Sequence, residues 1–181
     1  MALTRINNNS LSAVTAAGLP ANTIVDVKQA VLNDTYTTPT GGAWYDIPDL
    51  SITITPQSAS SKILITSALM ISGSNFFAWV RLMRDSTQLH VPTGADTFNR
   101  NTGSFGFFHD ANNSGGYAAE FPALEFLDEP QTDQSIVYKL QVRSRASGGV
   151  AHINRTPRDD NNTDGFDGRG VSTLTVMEIA G

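Results

Sequence analysis

The sequence predicts an all-β protein built as a jelly-roll β-sandwich. Three observations lead there. Eight to ten short β-branched or alternating runs lie between Ile24 and Ile179, separated by Gly, Pro, Asn and Ser turns. No segment carries a convincing amphipathic helical period, and no internal repeat is found. The closing run, Val171 to Ile179, is apolar on both sides, as a strand between two layers must be.

The first 22 residues stand apart from this pattern. Ile6-Asn7-Asn8-Asn9-Ser10 and Val14-Thr15-Ala16-Ala17-Gly18-Leu19-Pro20 scatter their apolar residues without a period. Residues 1–22 are therefore expected to form an extended N-terminal arm, and residues 23–181 the sandwich. Fully extended, twenty residues reach roughly 66 to 72 Å. Such an arm is expected to order by lying on another surface, with Leu3, Ile6, Leu11, Val14 and Leu19 as its contacts.

Ile24 to Tyr36 alternates early and is long enough to kink near Asn33-Asp34, and Pro39 to Gly42 is a turn. Trp44 to Ile47 reads as a short strand broken by Pro48-Asp49, followed by the strictly alternating Leu50 to Thr55. After a turn at Pro56 to Ser61, Lys62 to Ile71 is apolar on both faces and reads as central. Phe76 to Arg84 sets Ala78, Val80 and Leu82 against Trp79, Arg81 and Met83. Phe105, Phe107 and Phe108 mark a short strand, Tyr117 to Leu127 another, and Asp128-Glu129-Pro130 a turn. Ile136, Tyr138, Leu140 and Val142 face in while Val137, Lys139, Gln141 and Arg143 face out. Ser147-Gly148-Gly149 signals a hairpin into Val150 to Asn154, and a polar loop, Arg155 to Gly170, leads to the last strand.

In that last strand Leu174 and Val176 share one side. Val171, Thr173, Thr175, Met177 and Ile179 share the other. The chain stops at Gly181, so the second side is expected to be sheltered by further copies of the chain.

Charged residues make up only 16% of the chain, and 19 Thr, 16 Ser and 13 Asn supply the polarity, which suits a β surface rich in turns. The net charge of −5 does not attract nucleic acid. No run reaches the length of a membrane-spanning helix, and the N-terminus lacks a signal-peptide core. With no Cys there are no disulfides or thiolate metal sites, and assembly in a cytoplasm is expected.

No chemical activity is legible, and the chain is not expected to be an enzyme. Neither a phosphate-cradling Gly-rich loop nor a serine elbow is present. Glu120, Glu125, Asp128 and Glu129 could mimic a glycosidase pair, but read more simply as a solvated face. His90, His109 and His152 lack metal-ligand spacing and read as surface residues. The metal candidate is Asp160, Asn162 and Asp164, which match the first half of a calcium loop. The twelfth position is Val171 where that loop needs Glu, so a solvent loop is the preferred reading. Arg143, Arg145, Arg155, Arg158 and Arg169 are expected to pair with Asp159, Asp160, Asp164 and Asp167. The Phe105 to His109 run reads as core or subunit contact, with a sugar-binding tip as the alternative. No cofactor is implied.

The opening LTRINNNSL, the run SITITPQSASSKILITSALM, then WVRLMRDSTQL, YKLQVRSR, AHINR and the terminal STLTVMEIAG together resemble a group of phage virion proteins, notably from phages of cyanobacteria. These are described as tail-fibre or head-decoration components, and the resemblance covers roughly residues 24–90 and 135–181. It implies a trimeric jelly roll of the tumour-necrosis-factor type, with late strands near the threefold axis, and no particular site residue. Fibres of the group often carry a long N-terminal shaft. Here a short arm takes its place, which favours a compact knob bound directly to a shell. The expectation is a trimeric capsid cement protein on the virion surface. Its partners are itself and a major capsid protein or another virion protein, with no membrane insertion. The alternative is a receptor-binding knob for host surface glycans.

Overall fold

The computed structural model describes residues 19–73, 77–92, 102–108, 118–144, 149–161, 163, 165 and 167–181. All regular structure in them is β, and no helix long and apolar enough to cross a membrane occurs among them. The strands are β1 (Ile24–Leu32), β2 (Tyr36–Thr37), β3 (Tyr45–Ile54), β4 (Lys62–Ala68), β5 (Ile71–Gly73) and β6 (Phe77–Arg84). They continue as β7 (Thr87–Gln88), β8 (Phe105–Phe108), β9 (Ala123–Asp128), β10 (Ile136–Ser144), β11 (Ala151–Ile153) and β12 (Ser172–Ile179).

Every pairing is antiparallel. The first sheet has the order β1-β12-β4-β9. The second has the order β3-β10-β6-β7, with β8 also on β6. A small third sheet has the order β2-β11-β5. The first two sheets share one core. Ile63, Ile65, Leu174 and Val176 enter from the first, and Val80, Leu82, Leu140 and Val142 from the second, each fully buried. A buried Leu or Ile contributes about 1.5–3 kcal/mol through the water it leaves. The strict alternation of β10 produces its alternately buried pattern directly.

Four sequence expectations are corrected here. Pro48 does not end a strand. Tyr45 to Ile54 runs through it, with Asp46 opposite Gln141 and Ser51 opposite Lys139, so the residues between bulge out from the ladder. Asp49 takes φ 59° in that bulge, and Ile47 and Leu50 are buried by it. β3 lies at a sheet edge, where the missing Pro N–H costs nothing. Lys62 to Ile71 is two strands. The chain leaves the first sheet at Leu69, whose N–H donates to Pro122 O (3.1 Å), and β5 enters the third sheet. Tyr117 to Leu127 yields a strand only from Ala123. β11 does not form a hairpin with β10; it pairs with β2 and β5.

Asn154, fully buried with φ 63°, fixes that corner. Its Nδ2 donates to Leu32 O (2.7 Å) and Asp34 O (2.9 Å), and its Oδ1 accepts from Ser172 Oγ (2.5 Å). One side chain thus ties the ends of β1 and β11 to the start of β12.

Candidate functional site

The outer face of the first sheet follows from its register. Val27 lies opposite Met177 and Met177 opposite Leu64, with Leu64 opposite Leu127. Opposed residues in an antiparallel ladder point to the same side. The next row is Gln29, Thr175, Thr66 and Glu125, and the one after is Val31, Thr173, Ala68 and Ala123. Ile24 lies opposite Ile179 beyond a bulge in β1. On this face Ile24 (53%), Val27 (56%), Val31 (37%) and Leu127 (47%) remain exposed, and Met177, Ile179 and Leu64 are half-buried. Of the residues expected at an interface, Thr173, Thr175, Met177 and Ile179 lie on this side of β12, Thr175 buried, and Val171, 55% exposed, just precedes the strand. A shallow groove crosses the polar row between Gln29, Thr175, Thr66 and Glu125, with Gln29 Nε2 donating to Thr175 Oγ1 at 2.9 Å.

Of the arm contacts, Leu3, Ile6, Leu11 and Val14 lie outside the described residues, and Leu19 is half-buried. The chain joins the first sheet at once after it. Asn22 N–H donates to Ala180 O, and Ala180 N–H to Thr23 O, both at 2.8 Å.

In the late loop Asp160 is exposed, while Asn162 and Asp164 lie outside the described residues. Asp159, Asp160 and Asp167 are taken by Arg155, Arg158 and Arg169, as expected of these three; Arg143 stands instead on β10 opposite Trp79, away from the loop, and Arg145 lies outside the described residues. Arg169 grips Asp159 through Nε (3.0 Å) and Nη2 (2.9 Å), Arg158 binds Asp167 through Nε (2.8 Å) and Nη2, and Asp160 stands 3.3 Å from Arg158. The hydrogen bonds from Arg169 and from Arg158 hold Asp159 and Asp167 below the usual carboxylate range. Among the described residues no group of three or more His, Asp or Glu is placed to hold a metal ion. His109 lies outside the described residues. His90 is exposed and packs its ring 5.3 Å from Phe126.

Two polar residues were placed wrongly by sequence reasoning. Asp128 is not on a solvated turn but 6% exposed between the sheets. It accepts from Arg84 Nη1 at 2.9 and 2.8 Å and from the Tyr138 hydroxyl at 2.6 Å. Burial, then the adjacent Asp128, pushes the Tyr138 hydroxyl pKa far above its ordinary value. This triad is structural: β9 is linked to β6 and β10 through it. Of its supposed companions, Glu129 pairs with Lys62 at 3.1 Å, and Glu120 and Glu125 are exposed. His152 is likewise 5% exposed rather than at the surface. Its Nδ1 meets Thr37 Oγ1 at 2.9 Å, its buried Nε2 has no hydrogen-bond partner, and burial lowers its pKa to about 4.

The outer face of the second sheet is the feature that sequence reasoning missed. Trp79 lies across from Gly106, and a Cβ on Gly106 would meet Trp79 ring carbons at 2.7 to 2.9 Å, so the indole rests on bare backbone. The Arg81 guanidinium stands 4.3 Å from the Trp44 ring and donates to Gln141 Oε1 at 2.8 Å. Asp46 accepts from Lys139 Nζ (2.9 Å) and Gln141 Nε2 (2.6 Å). Within the aromatic run Phe105 packs on the core and Phe108 is 74% exposed, while the Phe107 side chain lies outside the description. The available signal was the alternation of Trp79 and Arg81 against the apolar Ala78, Val80 and Leu82. No protein-family model matches the chain, and no curated protein matches it.

Proposed function

We propose that the chain is a structural protein of a bacteriophage virion, a trimeric jelly roll that cements a capsid through its N-terminal arm. The observation that carries self-association is the outer face of the first sheet. Ile24, Val27, Met177, Leu64 and Leu127 form an apolar field there, with Val31 beyond the polar row, and exposed apolar fields of this kind mark interaction surfaces. The occupant is two further copies of the chain, as the phage resemblance implies, and Val171 to Ile179 would lie near the threefold axis.

Strand pairing supports the jelly roll. β1 pairs with β12, β3 with β10, β4 with β9, and β6 with β7 and β8 at the tip. With β2 and β11 set aside in the third sheet, successive pairs fall in alternate sheets, as they would in a long hairpin folded over on itself. Cementing follows from multivalency: each subunit contact raises the effective concentration for the next.

The test uses purified chain added to undecorated phage particles, with bound protein located by labelling. Wild type is expected on the shell. Deletion of residues 1–20 is expected to leave a folded trimer that stays off particles. Val27→Glu with Met177→Glu is expected to give folded single subunits that also stay off. A deletion that still decorates would remove the arm from the mechanism, and wild type that never binds would overturn the cement reading. A second reading, a receptor-binding knob for host surface glycans, is favoured by the second sheet, whose outer face carries both tryptophans and Phe108.

A further inference from the structure

Two neighbouring rows cross the outer face of the second sheet. One is Asp46, Gln141 and Arg81 on β3, β10 and β6. The other is Arg143, Trp79 and Gly106 on β10, β6 and β8. Rows two residues apart along a strand are about 7 Å apart, close to the width of a sugar ring. The chain's two tryptophans both stand here. Trp79 is held flat by Gly106 on one side and crowded by Gly103, whose Cβ would come within 3.1 Å of the ring. Arg81 is fixed in place by Trp44, by Gln141 and by Gln88 (3.3 Å). Arg143 differs from it: its Nε is buried and has no hydrogen-bond partner. Among the described residues three cations, Arg81, Lys139 and Arg143, stand on this face, and the carboxylate paired among them is Asp46. In a chain of net charge −5 that is a local excess of positive charge.

We propose that this face binds an acidic saccharide, one sugar ring lying on Trp79 and its carboxylate or sulfate taken by Arg143 with Arg81. The indole supplies an apolar plate for the C–H face of the ring. The guanidiniums supply planar donor pairs matched to an oxyanion. Gln141 and Asp46 supply a donor and acceptors for hydroxyls. A single pinned plate suits one ring better than a run of nucleobases, which needs successive stacking side chains along a basic track. The inference rests on the receptor-knob reading and gives that knob a ligand class and a site. It lies on the sheet opposite the proposed subunit interface.

The experiment titrates the full chain with trigalacturonate, with its methyl ester, with a chondroitin sulfate tetrasaccharide and with oligodeoxythymidylate. Calorimetry and tryptophan emission are the readouts, since both indoles report on this face. Saturable binding of at least one acidic saccharide with a change in emission is expected. Esterification, Trp79→Ala and Arg143→Gln are each expected to weaken binding about ten-fold or more. Arg143→Gln lies at the rim of the ladder and carries the test if Trp79→Ala fails to fold. The site is overturned if neither acidic saccharide binds, if the ester binds as well as the acid, if Arg143→Gln binds like wild type, or if the oligonucleotide binds more tightly. A parallel assay on host cells separates the two claims. Cell binding that trigalacturonate and the sulfated tetrasaccharide both fail to displace sinks the site and leaves the knob; saccharide binding without cell binding does the reverse.

Discussion

The two large sheets cover the same core but present opposite chemistries to the outside. Outside the first sheet stand Ile24, Val27, Val31 and Leu127, exposed and aliphatic, with Thr173 and Thr175 between strands of apolar rows. Outside the second stand Trp79 and Arg143 beside Arg81, Gln141, Asp46 and Lys139, the last four joined by hydrogen bonds and Arg81 also held over Trp44. Inward positions are constrained alike on both, because each must exclude water from a shared interior. Outward positions answer only to what they meet. An aliphatic face is stable when another apolar face covers it, and a face of pinned aromatics and guanidiniums is suited to a polar, anionic ligand.

The comparison holds only if the sheets are one rigid unit, and Asp128 adds a buried polar link to the core they share. Asp128→Ala leaves Arg84 and Tyr138 facing an empty site, and is expected to lower unfolding stability by about 3–5 kcal/mol in urea titration. A loss under about 1 kcal/mol would mean that packing alone holds the sheets together.

Acid is expected to strike next, at the small third sheet. Burial lowers the His152 pKa to about 4, whereas an unfolded histidine titrates near 6.5. As pH falls from about 6.5 to about 4 the unfolded chain takes up a proton that the native state refuses. His152's contribution therefore decreases through that window, by up to about 3 kcal/mol, and changes no further below it. Unfolding midpoints across this range should fall with pH in wild type and stay flatter in His152→Gln; equal slopes would contradict the assignment.

The smallest effect should separate the faces. Gly106→Ala pushes a methyl into the Trp79 indole, and is expected to cost about 1 kcal/mol and shift tryptophan emission. It should leave subunit association unchanged, since it touches only the second sheet. A change in mass with this variant would show that the interface had been assigned to the wrong face.

How much of this could be read in advance depended on the range of the signal. β10 and β12 were legible because alternation is local: Ile136 to Val142, and Leu174 with Val176, reveal their buried sides within a few residues. Pro48 misled because its effect depends on β3 being an edge strand, which is a property of the sheet. Asp128 looked like turn chemistry because its partners, Arg84 and Tyr138, come from strands of the other sheet. His152 was read as a surface residue because nothing in its own stretch shows that β11 is the middle strand of a third sheet. The interface candidates on β12 were read from one strand alone, and β1, β4 and β9 supply the rest of that face. The platform around Trp79 needs the register of β3, β10, β6 and β8 together, which no single stretch encodes.

The central claim, that the aliphatic face of the first sheet is closed by copies of the same chain, is tested most directly by light scattering of the full chain at micromolar concentration. A mass three times the 19.4 kDa of one chain, falling to one in the Val27→Glu, Met177→Glu variant, is the expected result. A stable particle of 19.4 kDa, with Met177 open to oxidation in solution, would contradict it.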